Sequence, residues 1–317
     1  MIFKPNTGVY PTMITPYNRD YSVDYGAVSA LVEWYYIKGC DGIFASCQSS
    51  EIHMLSLDDR VKLAATVKDT ADRLARDGGR RMTIVASGHI SDSFDSQLDE
   101  LRAVRDTGVE SVIMISNRFD IENTSDERWI SELSRMIDAL RDIPLGIYEC
   151  PRPYKRLLTP AMIEFMVSSG RFAFIKDTCC DADEIDSRIK LIQSTESSGL
   201  KPLLFNANAQ TLLETLRSGA AGYCGVMANF HPELYVRLCE IYRSQPEAAE
   251  LLAAFLSQAA FIEGMMYPSI AKYHLDKVGV KMLPISKTSP GELDRYKILC
   301  VDKMDRLAEY FTEIYCR

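Results

Sequence analysis

Eight short apolar runs, each followed by an amphipathic stretch, alternate along the first 230 residues and restrict the chain to parallel-sheet folds. The runs fall at residues 8–16, 41–45, 82–86, 111–115, 145–148, 172–177, 202–205 and 222–226. They are continuous in Val, Ile, Leu and Phe rather than alternating with polar residues, which marks strands buried on both faces. Between them, 23–38, 57–74, 93–107, 125–141, 160–168, 183–197 and 209–217 have helical periodicity, with Ala27, Leu31, Trp34 and Tyr35 forming one apolar stripe. Thr159 caps one of these helices and Gly170 closes it. Eight strands are the number that closes a barrel. A doubly wound open sheet is the competing arrangement, but no glycine-rich dinucleotide loop follows the first strand. The predicted fold is therefore a (β/α)8 TIM barrel over residues 1–230. An α-helical extension over 231–317 is expected to have helices at 233–266, 269–278 and 291–315.

Composition narrows the function classes. The formal net charge is −8, from 36 basic and 44 acidic residues, and the densest basic spot is Arg80-Arg81, so neither nucleic acid nor a membrane surface is an expected partner. No stretch reaches the roughly 20 apolar residues that span a bilayer, and residues 1–6 lack the apolar core of a signal peptide. Nine scattered cysteines, an odd number without paired spacing, suit reduced thiols and a cytoplasmic location. The four histidines have no metal-ligand spacing and there is no Walker-type phosphate loop, so neither a metal nor a nucleotide cofactor is expected.

In such barrels the active site lies at the C-terminal ends of the strands. That rule selects Thr15, residues 47–51, Ser87-Gly88, Ser116-Asn117, Tyr148, Lys176, Phe205-Asn206 and Cys224-Gly225. Lys176 ends the strand Phe172-Ala173-Phe174-Ile175, where a buried sheet has no use for a cation. Burial favours the neutral amine, the form that attacks carbonyl carbon to make a Schiff base. Tyr148, on the neighbouring strand, offers a phenol for the proton transfers of that chemistry. Ser49 and Ser50 offer hydroxyls and backbone N–H groups to a carboxylate or phosphate. Each residue also has a plainer role: Lys176 as the strand's exit to solvent, Tyr148 as packing, Ser49-Ser50 as a helix cap.

Four ordered elements resemble the dihydrodipicolinate synthase / N-acetylneuraminate lyase family. Thr15-Pro16-Tyr17 is similar to its Thr-Pro-Phe. Residues 42–51, with Leu55-Ser56 and Asp59-Arg60, are similar to its Gly-Thr-Thr-Gly-Glu element with the later Leu-Ser and Glu-Arg pairs. Tyr148-Glu149-Cys150-Pro151 matches its Tyr-x-x-Pro, and Ile175-Lys176-Asp177 its Ile-Lys-Asp, with Tyr148 and Lys176 separated by 176 − 148 = 28 positions. The resemblance implies a class I aldolase in which Lys176 forms an imine with a 2-oxo acid and Tyr148 is the general acid/base. It further implies that Ser49, Gln48, Asn206 and Arg152 contact the substrate, that the Cys224 carbonyl lines the pocket, and that the protein is a homo-oligomer, dimeric or tetrameric.

The departures from the family pattern limit this reading. Cys47 and Gln48 stand where the family has glycine and threonine, and Phe119 replaces its second tyrosine. Pro153 occupies the place of its carboxylate-binding arginine, leaving Arg152 or Arg156 to substitute, and Cys179-Cys180 fill its glycine-rich turn. These changes imply an activity other than dihydrodipicolinate synthesis, and no polar loop for a sugar tail is recognisable. Three readings remain: a Schiff-base lyase or aldolase acting on a 2-oxo acid or its aldol adduct, a keto-sugar-acid dehydratase using the same imine, and a non-catalytic small-molecule-binding relative.

Overall fold

The apolar runs form eight parallel strands in the computed structural model, which describes residues 3–316. They are β1 Gly8–Val9, β2 Gly42–Ala45, β3 Thr83–Ser87, β4 Ser111–Ile115, β5 Leu145–Tyr148, β6 Phe172–Asp177, β7 Leu203–Asn206 and β8 Gly222–Tyr223. Every strand pairs with its sequence neighbour from β2 to β8, β8 pairs with β1, and a bridge between Thr12 and Phe44 joins the two edges. The result is a (β/α)8 TIM barrel. Gly8 and Gly222 are directly paired, and a Cβ on Gly222 would come within 1.8 Å of the Gly8 carbonyl oxygen, so this seam requires glycine.

The helices on the outer face are α1 Tyr25–Ile37, α2 Leu57–Arg76, α3 Phe94–Arg105, α4 Asp126–Ala139, α5 Pro160–Ser169, α6 Ala182–Ser194, α7 Leu212–Ser218 and α8 Pro232–Ile241. Side-chain oxygens of Asp24, Ser56, Ser93, Ser125, Thr159 and Asp181 cap six of them by accepting first-turn N–H groups. After α8 come α9 Pro246–Ala259, α10 Ser269–Lys277 and α11 Arg295–Tyr315. No helix among the described residues is long and apolar enough to cross a membrane.

Three elements differ from expectation. The first strand stops at Val9 because Pro11 has no N–H to give the ladder. The eighth is two residues long, since a 3₁₀ turn begins at Val226. The continuous helix expected over 233–266 is divided: α8 ends at Ile241 and α9 starts at Pro246, whose ring is incompatible with helix four residues before it.

Strand alternation sorts the side chains into two apolar regions. One lies between sheet and helices; the other fills the lumen with Tyr10, Phe44, Phe174, Phe205, Tyr148 and their neighbours. Phe174 and Phe205 stack with ring centroids 4.3 Å apart, and Tyr10 meets Phe205 edge-on at 4.8 Å. This aromatic floor closes the lumen below Lys176.

Candidate active site

The two-residue period of β6 turns Phe174 and Lys176 inward, and Ile175 and Asp177 toward the helices. A register shift between Leu145 and Gly146 sets Tyr148 directly opposite Lys176. Both side chains are 4% exposed, and Lys176 Nζ lies 4.2 Å from the centroid of the Tyr148 ring and 5.4 Å from that of Phe44. Burial, followed by the surrounding thiols, holds the Tyr148 phenol well above its ordinary pKa, so at neutral pH it is a proton donor. Cys150 and Cys224 stand within electrostatic reach of Lys176, yet burial raises both thiols, Cys224 to about 12, and they remain neutral.

Over these strand ends opens a cavity of about 720 Å³, lined by Lys176, Tyr148, Gln48, Ser49, Arg152 and Pro153 among others. Gln48–Ser50 forms a 3₁₀ turn, and no acceptor among the described residues takes the N–H groups of Gln48 and Ser49. Ser49 Oγ donates to Thr12 Oγ1 at 3.1 Å, and Gln48 Oε1 accepts from the Cys150 thiol at 3.2 Å. The turn thus presents two amides and a hydroxyl beside the lysine, a set that can hold a carboxylate. A larger cavity of about 990 Å³ lies at the opposite end of the barrel, beside Gly8, Asp41 and Lys201, remote from these groups.

One of the expected contact residues lies elsewhere, and another sits in the lumen within electrostatic reach of Lys176 rather than on the cavity wall. Asn206 follows the inward Phe205 and so faces out, donating to Thr211 and Thr215 of the α7 region at 2.9 and 3.0 Å. Cys224 is wholly buried in the lumen and is not among the cavity's lining residues. Arg156 pairs with Asp126 at 2.8 Å, outside the cavity. Phe119 packs against Trp129 at 5.8 Å between centroids, so that position offers no phenol.

The structure adds groups that sequence reading missed. Arg118, in a 3₁₀ turn after β4, lines the cavity. Behind the strand ends, Arg188 of α6 joins Glu149 at 2.8 Å and Asp177 at 2.5 Å, and donates to the Leu158 carbonyl at 2.8 Å. Burial, then the charge of Asp177, pushes Glu149 up to about 7, with Arg188 opposing. Glu149 and Asp177 directly follow Tyr148 and Lys176, so this cluster fixes the backbone that aims them.

A second buried contact joins the C-terminal segment to the end of the Gln48–Ser50 turn. Glu51, at φ 60°, accepts from Ser286 Oγ and Thr288 N, both at 2.8 Å, and lies 3.4 Å from Lys272 Nζ. Desolvation pushes Lys272 down to about 8, with Glu51 opposing. Below that pH, folded and unfolded chains both hold the proton, and the cost of burying the cation is fully present. Between about 8 and about 10.5 only the unfolded chain keeps it, so stability should rise with pH across that window, by about 3 kcal/mol in all. Urea unfolding of the wild type and Lys272→Met at pH 7.5 and 9.5 checks this: the wild type should gain relative to the variant. A constant difference would refute the assignment.

One group among the described residues carries metal-ligand donors. His231, His274 and Asp305 place one donor atom each within 4.8 Å of one another. Asp305 Oδ1 lies 3.2 Å from His231 Nε2 and 2.9 Å from His274 Nδ1, and its Oδ2 is 2.8 Å from Lys277 Nζ. Although burial opposes it, these hydrogen bonds hold the carboxylate well below its ordinary range. The cluster ties α11 to α10 and to the start of α8, away from the cavity over Lys176.

Comparison with known proteins agrees with this fold. Residues 5–293 match the model of the dihydrodipicolinate synthetase family. A 4-hydroxy-tetrahydrodipicolinate synthase of Saccharophagus degradans is 24% identical over 277 residues, 86% of this chain and 89% of that one. The crystal structure of YagE, a prophage protein of the dihydrodipicolinic acid synthase family from E. coli K12, in complex with pyruvate, superposes with a TM-score of 0.80 at 19% identity, over 96% of this chain and 98% of that one. The wild-type sialic acid aldolase of Ruminococcus gnavus superposes with a TM-score of 0.82 at 16% identity, over 98% and 99% of the two chains.

Proposed function

Because the chain belongs to the dihydrodipicolinate synthetase family of class I aldolases and lyases, we propose that it is a lyase whose Lys176 forms a Schiff base with a 2-oxo acid or its aldol adduct. The observation that carries this reading is the buried pair of Lys176 Nζ and the Tyr148 ring, 4.2 Å apart at the mouth of a barrel. The neutral amine attacks C2 of the keto acid, and the carbinolamine oxygen takes a proton and leaves as water. The resulting iminium draws electrons from the bond between C3 and C4, which breaks as the aldol hydroxyl gives up its proton, leaving an enamine on Lys176 and a free aldehyde. Tyr148, protonated at neutral pH, supplies the proton for dehydration and as phenolate accepts the one released on cleavage. The amides of Gln48 and Ser49 hold the substrate's 1-carboxylate, joined by the Ser49 hydroxyl once it turns its proton from Thr12 Oγ1 to the substrate. The absence of a phenol at Phe119 and of an arginine at Pro153 argues for a reaction other than dihydrodipicolinate synthesis.

Reduction with borohydride in the presence of pyruvate, followed by peptide mass spectrometry, tests the shared step. A stable adduct is expected on Lys176, and a panel of 2-oxo acids that leaves Lys176 unlabelled would sink the reading. Tyr148→Phe removes the proton donor while keeping the ring, and is expected to lower kcat about 10²- to 10⁴-fold with a smaller change in KM. A variant within threefold of wild type would remove Tyr148 from the mechanism.

A further inference from the structure

The last helix, α11, is apolar on two opposite faces, and only one of them is used inside the chain. Val301, Met304 and Ala308 are buried where α11 packs on α8 and α10, and Asp305 beside them binds His231 and His274. On the far side Tyr296, Leu299, Leu307, Tyr310 and Ile314 are 51–68% exposed. With Lys303 they recur in steps of 3, 4, 4, 3 and 4 residues. Such steps keep them on one straight stripe about 27 Å long. A helix with apolar residues all round is ordinarily covered on every side, and a contiguous exposed patch of this kind marks an interaction surface. The patch continues past Phe311, which stacks on Phe255 of α9 at 4.5 Å between centroids; Leu251, one turn earlier on α9, is 62% exposed. α11 lies entirely after residue 293, where the match to the family model ends.

The order of residues along the stripe points to what covers it, because from its two ends toward the middle the stripe complements itself. A second copy of α11 laid antiparallel, with a twofold axis at the level of residues 304–305, sets Tyr296 against Ile314, Leu299 against Tyr310 and Lys303 against Leu307. The aliphatic stem of the lysine can cover the leucine while its ammonium reaches water. Arg295, Asp302, Arg306 and Glu313 line one edge of the stripe, and the same register brings Arg295 to Glu313 and Asp302 to Arg306 of the other copy. Laid parallel, the two copies would instead set each charge against itself. The contacts of Asp305 on the opposite side hold α11 to the body of the protein, so the stripe is presented on a fixed helix.

We propose that α11 is a self-association seam. Two copies of the chain pair through antiparallel α11 stripes about a twofold axis, with the Arg295–Glu313 and Asp302–Arg306 pairs at the rim. The seam is independent of the chemistry at Lys176.

Sedimentation velocity of the full chain at micromolar concentration tests it. Leu307→Lys adds an ammonium beside Lys303 of the other copy, at a position half-exposed in the single chain. It is expected to halve the sedimenting mass while the circular dichroism melt stays at that of the wild type. Arg295→Glu and Glu313→Arg should each weaken association about tenfold, since each turns two attractive pairs repulsive. The two changes together in one chain should restore association to within threefold of wild type, a rescue that only antiparallel pairing of like chains gives. A wild type that sediments as a monomer, or a Leu307→Lys chain of undiminished mass, overturns the proposal and leaves the stripe to a different protein. Single charge swaps that the double variant does not rescue overturn the antiparallel register, and the seam with it.

Discussion

Replacing Lys176 with alanine is expected to abolish the borohydride-trapped adduct and to reduce turnover to background. In the proposed mechanism the amine is the atom that bonds to substrate, and no other lysine among the described residues borders the cavity. Without the iminium, the electron pair of the breaking carbon–carbon bond has no acceptor, a loss that should approach the full rate enhancement of covalent catalysis. The fold should survive the change, because Lys176 meets the aromatic lumen from above and makes no ion pair among the described residues that would leave a buried carboxylate behind. A circular dichroism melt close to that of the wild type, combined with lost activity, is the expected pattern. Residual turnover above a hundredth of wild type would mean that the imine is not the route.

The second large effect is on stability. Arg188→Leu is expected to cost about 3–5 kcal/mol, because it leaves Glu149 and Asp177 in place and unpaired. Both carboxylates are fully buried, and Arg188 is 3% exposed. Urea denaturation should show the loss directly, with a fall in Tm on the order of 10 °C. Arg188→Lys keeps the charge but not the two-pronged geometry, and should recover only part of the loss. A Leu variant within 1 kcal/mol of wild type would show that the cluster has little energetic role.

The parts legible in the sequence were those written in local patterns. Eight apolar runs with helical spacers gave the barrel, and the strand-end rule with two short motifs selected Tyr148 and Lys176. Some misses had a readable signal. Phe205 and Asn206 are adjacent in one strand, so only one can face the lumen, and the bulky aromatic is the one that fills it. Arg188 lies on the apolar stripe of Ile185, Ile189 and Ile192, a placement that asks for a buried acidic partner. Other features had no local signal. Arg118 depends on the path of a 3₁₀ turn, and His231, His274 and Asp305 are 43 and 31 positions apart, brought together only by the packing of α8, α10 and α11. The undivided helix over 233–266 came from weighing periodicity above the proline at 246.

The engagement of Glu51 by Lys272, Ser286 and Thr288 has a consequence for how the protein is made. The ribosome delivers the eight strands, with Tyr148 and Lys176, within the first 226 positions, but the groups that fasten the turn beside them come more than 40 residues later. A nascent chain could therefore close its barrel and still present an unfastened binding turn. Competence would arrive late in synthesis, as the last helices dock, so that truncated products would resemble the barrel without its chemistry.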